Sequence, residues 1–309
     1  MFIANFNKNR KVIYFFKSVV AVSFFFIIFK KIDLYETVKA FSISIETLLY
    51  LLCISLFLFF LSSKRLSFLY LGKKKLRLSF WLRLHAAASI FNLIIPARLG
   101  DLSKYYLIKK DYRKYPKSYL LGMFIFERSL DLIILIILLS IIYALINHNY
   151  FFYFLSGFIF FLFYFFTKTK IPHKINYLRL NYFSKLQKRV SKFLFHFNIY
   201  KEKLSENYNI FRALVITLFF WLFSLIQINI LIEIFNDQLL FLDNSFLIIK
   251  IILISLIPIT FSGLGTREFF FIYFFGPFIG NNEAFVVSIY FYLFRYLFPA
   301  ILGLFFVKK

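Results

Sequence analysis

Three charged residues, Glu127, Arg128 and Asp131, lie inside one of the longest apolar stretches of the chain. On a helix Glu127 and Asp131 share one face because they are four residues apart, and Arg128 can reach Asp131 across one turn. A charge at the centre of a bilayer costs about 2.5–3.5 kcal/mol on insertion scales. We therefore interpret these residues as the charged lining of a polar cavity. The alternative is an internal salt bridge close to the membrane surface.

A second charged pair, Arg267 and Glu268, follows two glycines, Gly263 and Gly265, in another apolar stretch. Two glycines permit a tight turn. Thr266 is then placed to cap a new helix, whose free N–H groups suit an anion such as a lipid phosphate, and the Arg267 guanidinium adds a bidentate fork. The alternative is a glycine break in a kinked helix, with Arg267 and Glu268 paired to each other.

Pro96 and Gly100 interrupt an earlier apolar stretch, and three charged residues surround this break. Arg98, Asp101 and Lys104 are spaced three residues apart, which places them on one helical face. They are expected to bind lipid headgroups, or else to form a row of ion pairs at the cytoplasmic surface of the membrane. The sequence leaves both interpretations open.

The elements that carry these charges are predicted to be transmembrane helices. Hydrophobic residues make up 61% of the 309 residues, and apolar runs of about 18 or more residues recur along the chain. This composition excludes a soluble globular protein. The net charge of +24 lies mainly between the apolar runs, where Lys and Arg orient the chain and contact anionic headgroups, so no nucleic acid is expected. Six full spans are predicted, at about 12–29, 46–62, 118–146, 150–167, 211–234 and 284–307.

Two further segments, about 78–100 and 246–280, are predicted to be re-entrant or discontinuous. The second is interrupted by Pro258 before its glycines, and broken backbone at membrane depth occurs only where protein buries it or a wet cavity borders it. If both segments return to the side from which they enter, most loop Lys and Arg residues face the cytoplasm, as the positive-inside rule requires. Both breaks read Ile-Pro, a small-residue turn, then a basic and an acidic residue, which favours an inverted pseudo-repeat around a midplane site.

The predicted fold class is therefore an all-α integral membrane protein, with about six full transmembrane helices plus two oppositely oriented re-entrant segments. We expect a single polytopic membrane domain over residues 1–309, in the cell (inner) membrane, with the N-terminus and the C-terminus in the cytoplasm. Residues 168–209 are predicted to form a basic amphipathic cytoplasmic segment. It lies on an anionic leaflet or packs beneath the helix bundle.

Three stretches, 95–110, 126–138 and 257–271, resemble the signature regions of the lysylphosphatidylglycerol synthase/flippase transmembrane-domain family. The resemblance covers nearly the whole chain in order and spacing, and it implies that a lipid or lipid-linked headgroup moves between leaflets through a cavity formed by re-entrant helices. The matching positions are Pro96, Arg98, Gly100, Asp101, Glu127, Arg128, Asp131, Pro258, Gly263, Gly265, Arg267 and Glu268. Asp101 departs from the Glu, and Lys104 from the Arg, that are usual in the family, which bears on the choice of headgroup.

The synthase members of the family add a soluble aminoacyltransferase domain, whereas this sequence stops at Lys309 directly after its last predicted span. The four histidines are scattered and no catalytic set is recognisable. We therefore expect a flippase-like protein rather than an enzyme, with no cofactor and no metal. Its expected partners are the membrane and an anionic phospholipid or glycolipid, and a homodimer is kept open.

Two other functions are weighed as alternatives. A membrane-embedded glycosyl or lipid transferase would use Glu127, Asp131 or Glu268 as a base. An accessory scaffold of a cell-envelope polymer pathway would tolerate neutralisation of Arg267 and Glu268.

Overall fold

The computed structural model describes residues 18–20, 22–70, 76–94, 100–101, 103–104, 107–108, 117–169, 194–195, 197–200, 202, 204, 209–257, 260 and 263–307. Within these ranges the regular structure is helical and no strand occurs, so the predicted all-α class is confirmed. Three of the predicted site residues, Pro96, Arg98 and Pro258, lie outside the described residues, as does most of the basic segment 168–209.

The helices are numbered here in chain order after the helical residues 18–20 and 22–31. They are α1 (Leu34–Ala40), α2 (Ile45–Leu69), α3 (Leu78–Ile94), α4 (Lys117–Asn147), α5 (Tyr150–Lys168), α6 (Asn209–Glu233), α7 (Phe241–Leu256), α8 (Thr266–Ile279), α9 (Asn281–Tyr292) and α10 (Phe298–Val307), with a π-helical segment Leu293–Leu297 between α9 and α10.

Four stretches of the described chain are long and apolar enough to cross a membrane: Ile45–Leu69, Gly122–Asn147, Asn209–Glu233 and Asn281–Phe305. A helix of 25 residues is about 37 Å long, which exceeds the roughly 30 Å of a hydrocarbon core. These stretches correspond to four of the six predicted spans. The predicted span 150–167 corresponds to α5, a shorter apolar helix, and the total number of crossings stays a prediction.

The predicted discontinuity in residues 246–280 is present. Helix α7 ends at Leu256, and α8 begins at Thr266 after turns in which Gly263 and Gly265 have φ of 78° and 84°. Those angles lie in the left-handed region, which only glycine adopts without strain. The other predicted broken segment contains one continuous helix, α3, which ends before the undescribed residues 95–99.

The chain divides into two compact units. Unit 1 comprises residues 1–57, 86–100 and 223–309, and unit 2 comprises residues 58–85 and 101–222. In unit 2, α4 and α5 form a hairpin whose turn includes His148 at φ 49°, and Asn149 caps α5 by accepting from the backbone N–H of Phe151. The rings of Tyr143 and Phe152 then pack edge to face, with centroids 4.4 Å apart.

In unit 1, α8 and α9 form a second hairpin with Gly280 (φ 96°) as its corner. The π-helical segment that follows α9 precedes Pro299, which has no N–H and whose ring would clash with the carbonyl four residues earlier. The register shifts instead, and the N–H of Phe298 donates to the carbonyl of Leu293. Such π segments are often associated with functional sites.

Candidate functional site

The charged residues of α4 lie in a buried cluster within unit 2. Glu127 and Asp131 are nearly inaccessible, and both accept from one arginine, Arg65 of α2. Arg65 Nη2 lies 2.8 Å from Glu127 Oε1, and Arg65 Nη1 lies 2.5 Å from Asp131 Oδ1. One guanidinium therefore neutralises two carboxylates, which share a helix face as their spacing predicted.

Lys104 and Asp101 complete the side of the cluster that faces Glu127. Lys104 Nζ lies 3.0 Å from Asp101 Oδ1 and 3.3 Å from Glu127 Oε1. Both residues are buried, so the two side chains that depart from the family pattern still meet inside the protein.

Arg128 contacts all three carboxylates of the cluster. Its guanidinium nitrogens lie 2.9 Å from Asp101 Oδ2, 3.4 Å from Glu127 Oε1 and 3.2 Å from Asp131 Oδ2. The predicted pairing of Arg128 with Asp131 is thus present. Its side chain is 27% exposed, whereas those of the other five members are at most 6% exposed.

The cluster contains three cations and three carboxylates, so its formal charge is zero. We call these six residues the unit-2 cluster: Arg65, Asp101, Lys104, Glu127, Arg128 and Asp131. Two aromatic residues of α6 border it, since Trp221 Nε1 donates to Asp131 Oδ1 over 3.2 Å and Arg65 stacks 5.4 Å from the Phe220 centroid. Balanced charge and complete pairing are what make buried ions tolerable.

Arg65 and Trp221 were absent from the residues predicted for the site. The second span was predicted at about 46–62, which left Arg65 in the loop after it, whereas α2 continues as a helix to Leu69. A signal for Arg65 did exist. Glu127 and Asp131 are two acids in an apolar helix, and Arg128 is the one cation beside them. Charge balance therefore requires a further cation from another helix.

Arg267 and Glu268 lie in unit 1, at the start of α8, and they form an ion pair with each other. Glu268 Oε2 also accepts from the backbone N–H of Gly265 over 2.6 Å, which is the half of a capping box that a glycine N-cap allows. A carboxylate therefore occupies the helix N-terminus, where anions are stabilised. The prediction that Thr266 caps this helix is wrong, because Gly265 is the N-cap and the Thr266 hydroxyl bonds to that of Thr260 over 2.8 Å.

Three aromatic rings surround the Arg267 guanidinium. The centroids of Phe291, Tyr292 and Tyr296 lie 5.6, 5.1 and 5.5 Å from Arg267 Cζ. The π-helical segment contributes to this arrangement, because residues five apart lie close together in a π-helix and the rings of Phe291 and Tyr296 contact each other edge to face. The side chain of Arg267 is 2% exposed. We call Arg267, Glu268 and the three rings of Phe291, Tyr292 and Tyr296 the unit-1 cluster.

Gly100 lies against α3 within unit 1. A Cβ atom at Gly100 would lie 2.3 Å from the backbone nitrogen of Asn92 and 2.4 Å from the backbone carbon of Phe91. Only glycine allows the chain to pass the end of α3 this closely. In the described part of the chain, no group of His, Cys, Asp and Glu side chains is placed to hold a metal ion.

Comparison with known protein families adds one finding. The sequence model of the family described as "Lysylphosphatidylglycerol synthase TM region" matches residues 14–303. The chain belongs to this family. A search of curated proteins and a search of solved structures each returned no match.

Membership in the lysylphosphatidylglycerol synthase transmembrane family identifies the chain as a multi-pass membrane protein of lipid-related function. Both clusters fall inside the matched residues. Of the predicted binding residues, Asp101, Lys104, Glu127, Arg128 and Asp131 lie in the unit-2 cluster, and Arg267 and Glu268 lie in the unit-1 cluster.

Proposed function

We propose that this protein moves the polar headgroup of a membrane lipid between the two leaflets. The observation that carries the proposal is the unit-2 cluster, six mutually paired ions in an otherwise apolar membrane protein. Ions within a membrane protein are costly, and those that are kept commonly mark substrate or ion pathways. Family membership supports a lipid as the substrate.

Arg128 is the member of the cluster that is suited to contact a headgroup. Its side chain is the most exposed of the six, and its guanidinium offers a planar fork that matches two oxygens of a phosphate. Its three contacts to carboxylates, at 2.9–3.4 Å, are the kind that a phosphate can replace.

When Arg128 turns away, each carboxylate still has a paired cation, and the five remaining residues carry a net charge of −1. Asp101 retains Lys104 at 3.0 Å, Glu127 retains Arg65 at 2.8 Å, and Asp131 retains Arg65 at 2.5 Å. Leaving one buried charge without a partner is the expensive step in breaking an ion pair. Because no carboxylate loses its last cation, transfer of Arg128 to a phosphate costs less than breaking an isolated buried pair, so we propose Arg128 as the exchangeable cation of the site.

The test is lipid scrambling in proteoliposomes that contain purified protein and fluorescent lipids with several headgroups. Wild type is expected to scramble at least one headgroup faster than empty vesicles. Arg128→Gln is expected to slow that rate about tenfold or more, since a hydrogen bond to a charged group contributes about 1.5–3 kcal/mol. Arg212→Gln is the matched control, because Arg212 is an exposed arginine that stacks on Phe68 outside the cluster.

Two outcomes would overturn the proposal. One is scrambling by wild type that is no faster than in empty vesicles for every headgroup, which favours an accessory scaffold. The other is consumption of a labelled lipid with release of a new product, which identifies a transferase.

We further propose that the protein resides in the cytoplasmic membrane with both termini in the cytoplasm, as its basic loops favour. Cys53 is the single cysteine, so a Cys53→Ala background permits labelling of one introduced cysteine at a time. A cysteine at position 110 is expected to resist a membrane-impermeant maleimide in intact cells and to react in lysed cells. Labelling in intact cells would place this loop outside and reject the orientation.

A further inference from the structure

Lys250 is a charged residue in the interior of an apolar helix and takes part in neither cluster. It lies on α7, whose sequence from Phe241 to Leu256 is otherwise largely apolar. Nine residues separate it from the start of the helix, which is about 14 Å along the axis. An ammonium group among apolar side chains needs a partner.

Two aromatic rings of the described residues contact Lys250. Its Nζ lies 4.5 Å from the centroid of Phe246, one turn earlier on α7, and 5.3 Å from that of Phe274 on α8. Within the described residues no carboxylate forms an ion pair with it. Cation–π contacts orient an ammonium group, but they are weaker than the cost of placing it in hydrocarbon. In the described part of the chain, the charge of Lys250 therefore lacks a counterion.

The side chain of Lys250 is directed toward the N-terminal end of α7. Its contact with Phe246, four residues earlier, follows from the tilt of helical side chains toward the helix N-terminus. Lys250 is half-buried, and exposed apolar side chains lie on the same two helices, among them Phe241 (42% exposed), Tyr273 (58%) and Phe278 (52%). In a membrane protein such surface faces acyl chains, so the ammonium group opens toward lipid.

We propose that Lys250, Phe246 and Phe274 form a lateral binding site for a phospholipid of net negative charge. The ammonium group of Lys250 pairs with the lipid phosphodiester, the two rings hold the ammonium in place, and the acyl chains lie along the exposed apolar surface of α7 and α8. A choline lipid is a poorer ligand because its own ammonium already neutralises its phosphodiester. The site is separate from the proposed translocation site, since none of its three residues belongs to the unit-2 cluster.

The test counts the lipids that remain bound to the protein. Wild type and variants are reconstituted in vesicles of phosphatidylcholine with a minority of phosphatidylglycerol, extracted in mild detergent, and analysed by native mass spectrometry. Lys250→Met is expected to retain one phosphatidylglycerol fewer per chain than wild type, and Lys250→Arg is expected to retain the wild-type number. Any other anionic-lipid site is common to all variants and cancels in the comparison.

Lys30→Met is the matched control. Lys30 also stacks on the ring four residues earlier, with its Nζ 4.7 Å from the Phe26 centroid, but it is exposed near the end of the helical residues 22–31. It is expected to retain the wild-type number of lipids. An equal phosphatidylglycerol count in wild type and Lys250→Met would overturn the proposal.

A second measurement uses only the wild-type protein and so does not depend on the folding of a variant. A membrane-permeant amine-reactive ester acetylates lysines in vesicles with or without phosphatidylglycerol, and mass spectrometry follows each residue. Phosphatidylglycerol is expected to slow acetylation of Lys250 severalfold more than that of Lys30. Equal slowing at both lysines would reject the site, whatever the result of the scrambling assay.

Discussion

Arg65 and Asp131 form an ion pair that joins the end of α2 to α4, with Arg65 Nη1 2.5 Å from Asp131 Oδ1. The same guanidinium binds Glu127 at 2.8 Å, so an arginine distant in sequence neutralises both acids of α4. The two helices are thereby fixed to each other by ions within their apolar surroundings.

Arg65→Met is expected to destabilise the protein strongly. It leaves Glu127 and Asp131 buried with fewer cations, and removal of one partner of a buried ion pair costs about 3–5 kcal/mol. Thermal unfolding in detergent measures the loss. Arg212→Met is the control and is expected to change stability by about 0.5 kcal/mol or less, because exposed residues contribute little. Equal effects of the two variants would contradict the importance of the Arg65 pairs.

Neutralising one acid is expected to relieve part of the defect of Arg65→Met. In the double variant Arg65→Met with Asp131→Asn, one of the two acids left behind is no longer charged. The double variant should therefore be more stable than the sum of the single effects predicts, by about 0.5–3 kcal/mol. A double-mutant cycle measures this coupling, and strict additivity would show that Arg65 and Asp131 do not stabilise each other.

Much of the unit-2 cluster was predictable from the sequence, and the exception has a physical cause. The spacing of Glu127, Arg128 and Asp131 is local and fixed by helix geometry, so both the shared face and the Arg128–Asp131 pair were predicted correctly. The role of Arg65 was missed because hydropathy falls after residue 62, where the predicted span ended. The residues that follow nevertheless continue the helix to Leu69. Hydropathy marks where lipid contact ends, and it does not mark where a helix ends.

Two local features of unit 1 were also missed. No helix was predicted between the spans 12–29 and 46–62, yet Asp33 caps the short helix α1 there by accepting from the backbone N–H groups of Tyr35 and Glu36. The π-helical segment before Pro299 has no periodic signal of its own, because it is a shift of register within an apolar run. Short elements of this kind depend on single side chains, which apolar periodicity does not report.

Arg267→Lys is expected to destabilise unit 1 although it keeps the charge. Lysine lacks the planar fork that binds Glu268 and the flat face that contacts Phe291, Tyr292 and Tyr296. We expect thermal unfolding to show a loss of about 1.5–3 kcal/mol in stability, the range for a hydrogen bond to a charged group. Arg212→Lys serves as the control and should be close to wild type. A stable Arg267→Lys protein would show that charge alone suffices at this position.

The stability of Gly263 variants is expected to follow how well each new residue tolerates a positive φ. The nearest atom to a Cβ at Gly263 is the Ser255 carbonyl oxygen at 3.5 Å, which is ordinary contact, so the cost comes from the backbone angle of 78°. Gly263→Asn should destabilise the protein least. Gly263→Ala should lower the free energy of unfolding by about 1–2 kcal/mol, and Gly263→Val should lower it further. Unfolding midpoints measure the order. A ranking by side-chain volume alone, with Asn worse than Ala, would point to steric conflict instead.

Gly303→Ala is expected to disturb the contact between α3 and α10. A Cβ atom at Gly303 would lie 2.5 Å from the carbonyl oxygen of Ala86 and 2.9 Å from Ile90 Cδ1, so the two helices must separate, at a cost of about 1–3 kcal/mol. Gly157→Ala is the control, since a Cβ there meets nothing within 4 Å, and it should be neutral or stabilising by up to about 1 kcal/mol.

The added substitution Ile90→Ala distinguishes the two groups that a Cβ at position 303 would meet, the Ala86 carbonyl and the Ile90 side chain. It frees the space of a side chain but leaves the Ala86 carbonyl in place, so it should not restore the stability of Gly303→Ala. Restoration by Ile90→Ala would show that the Ile90 side chain, and not the α3 backbone, excludes a larger residue at position 303.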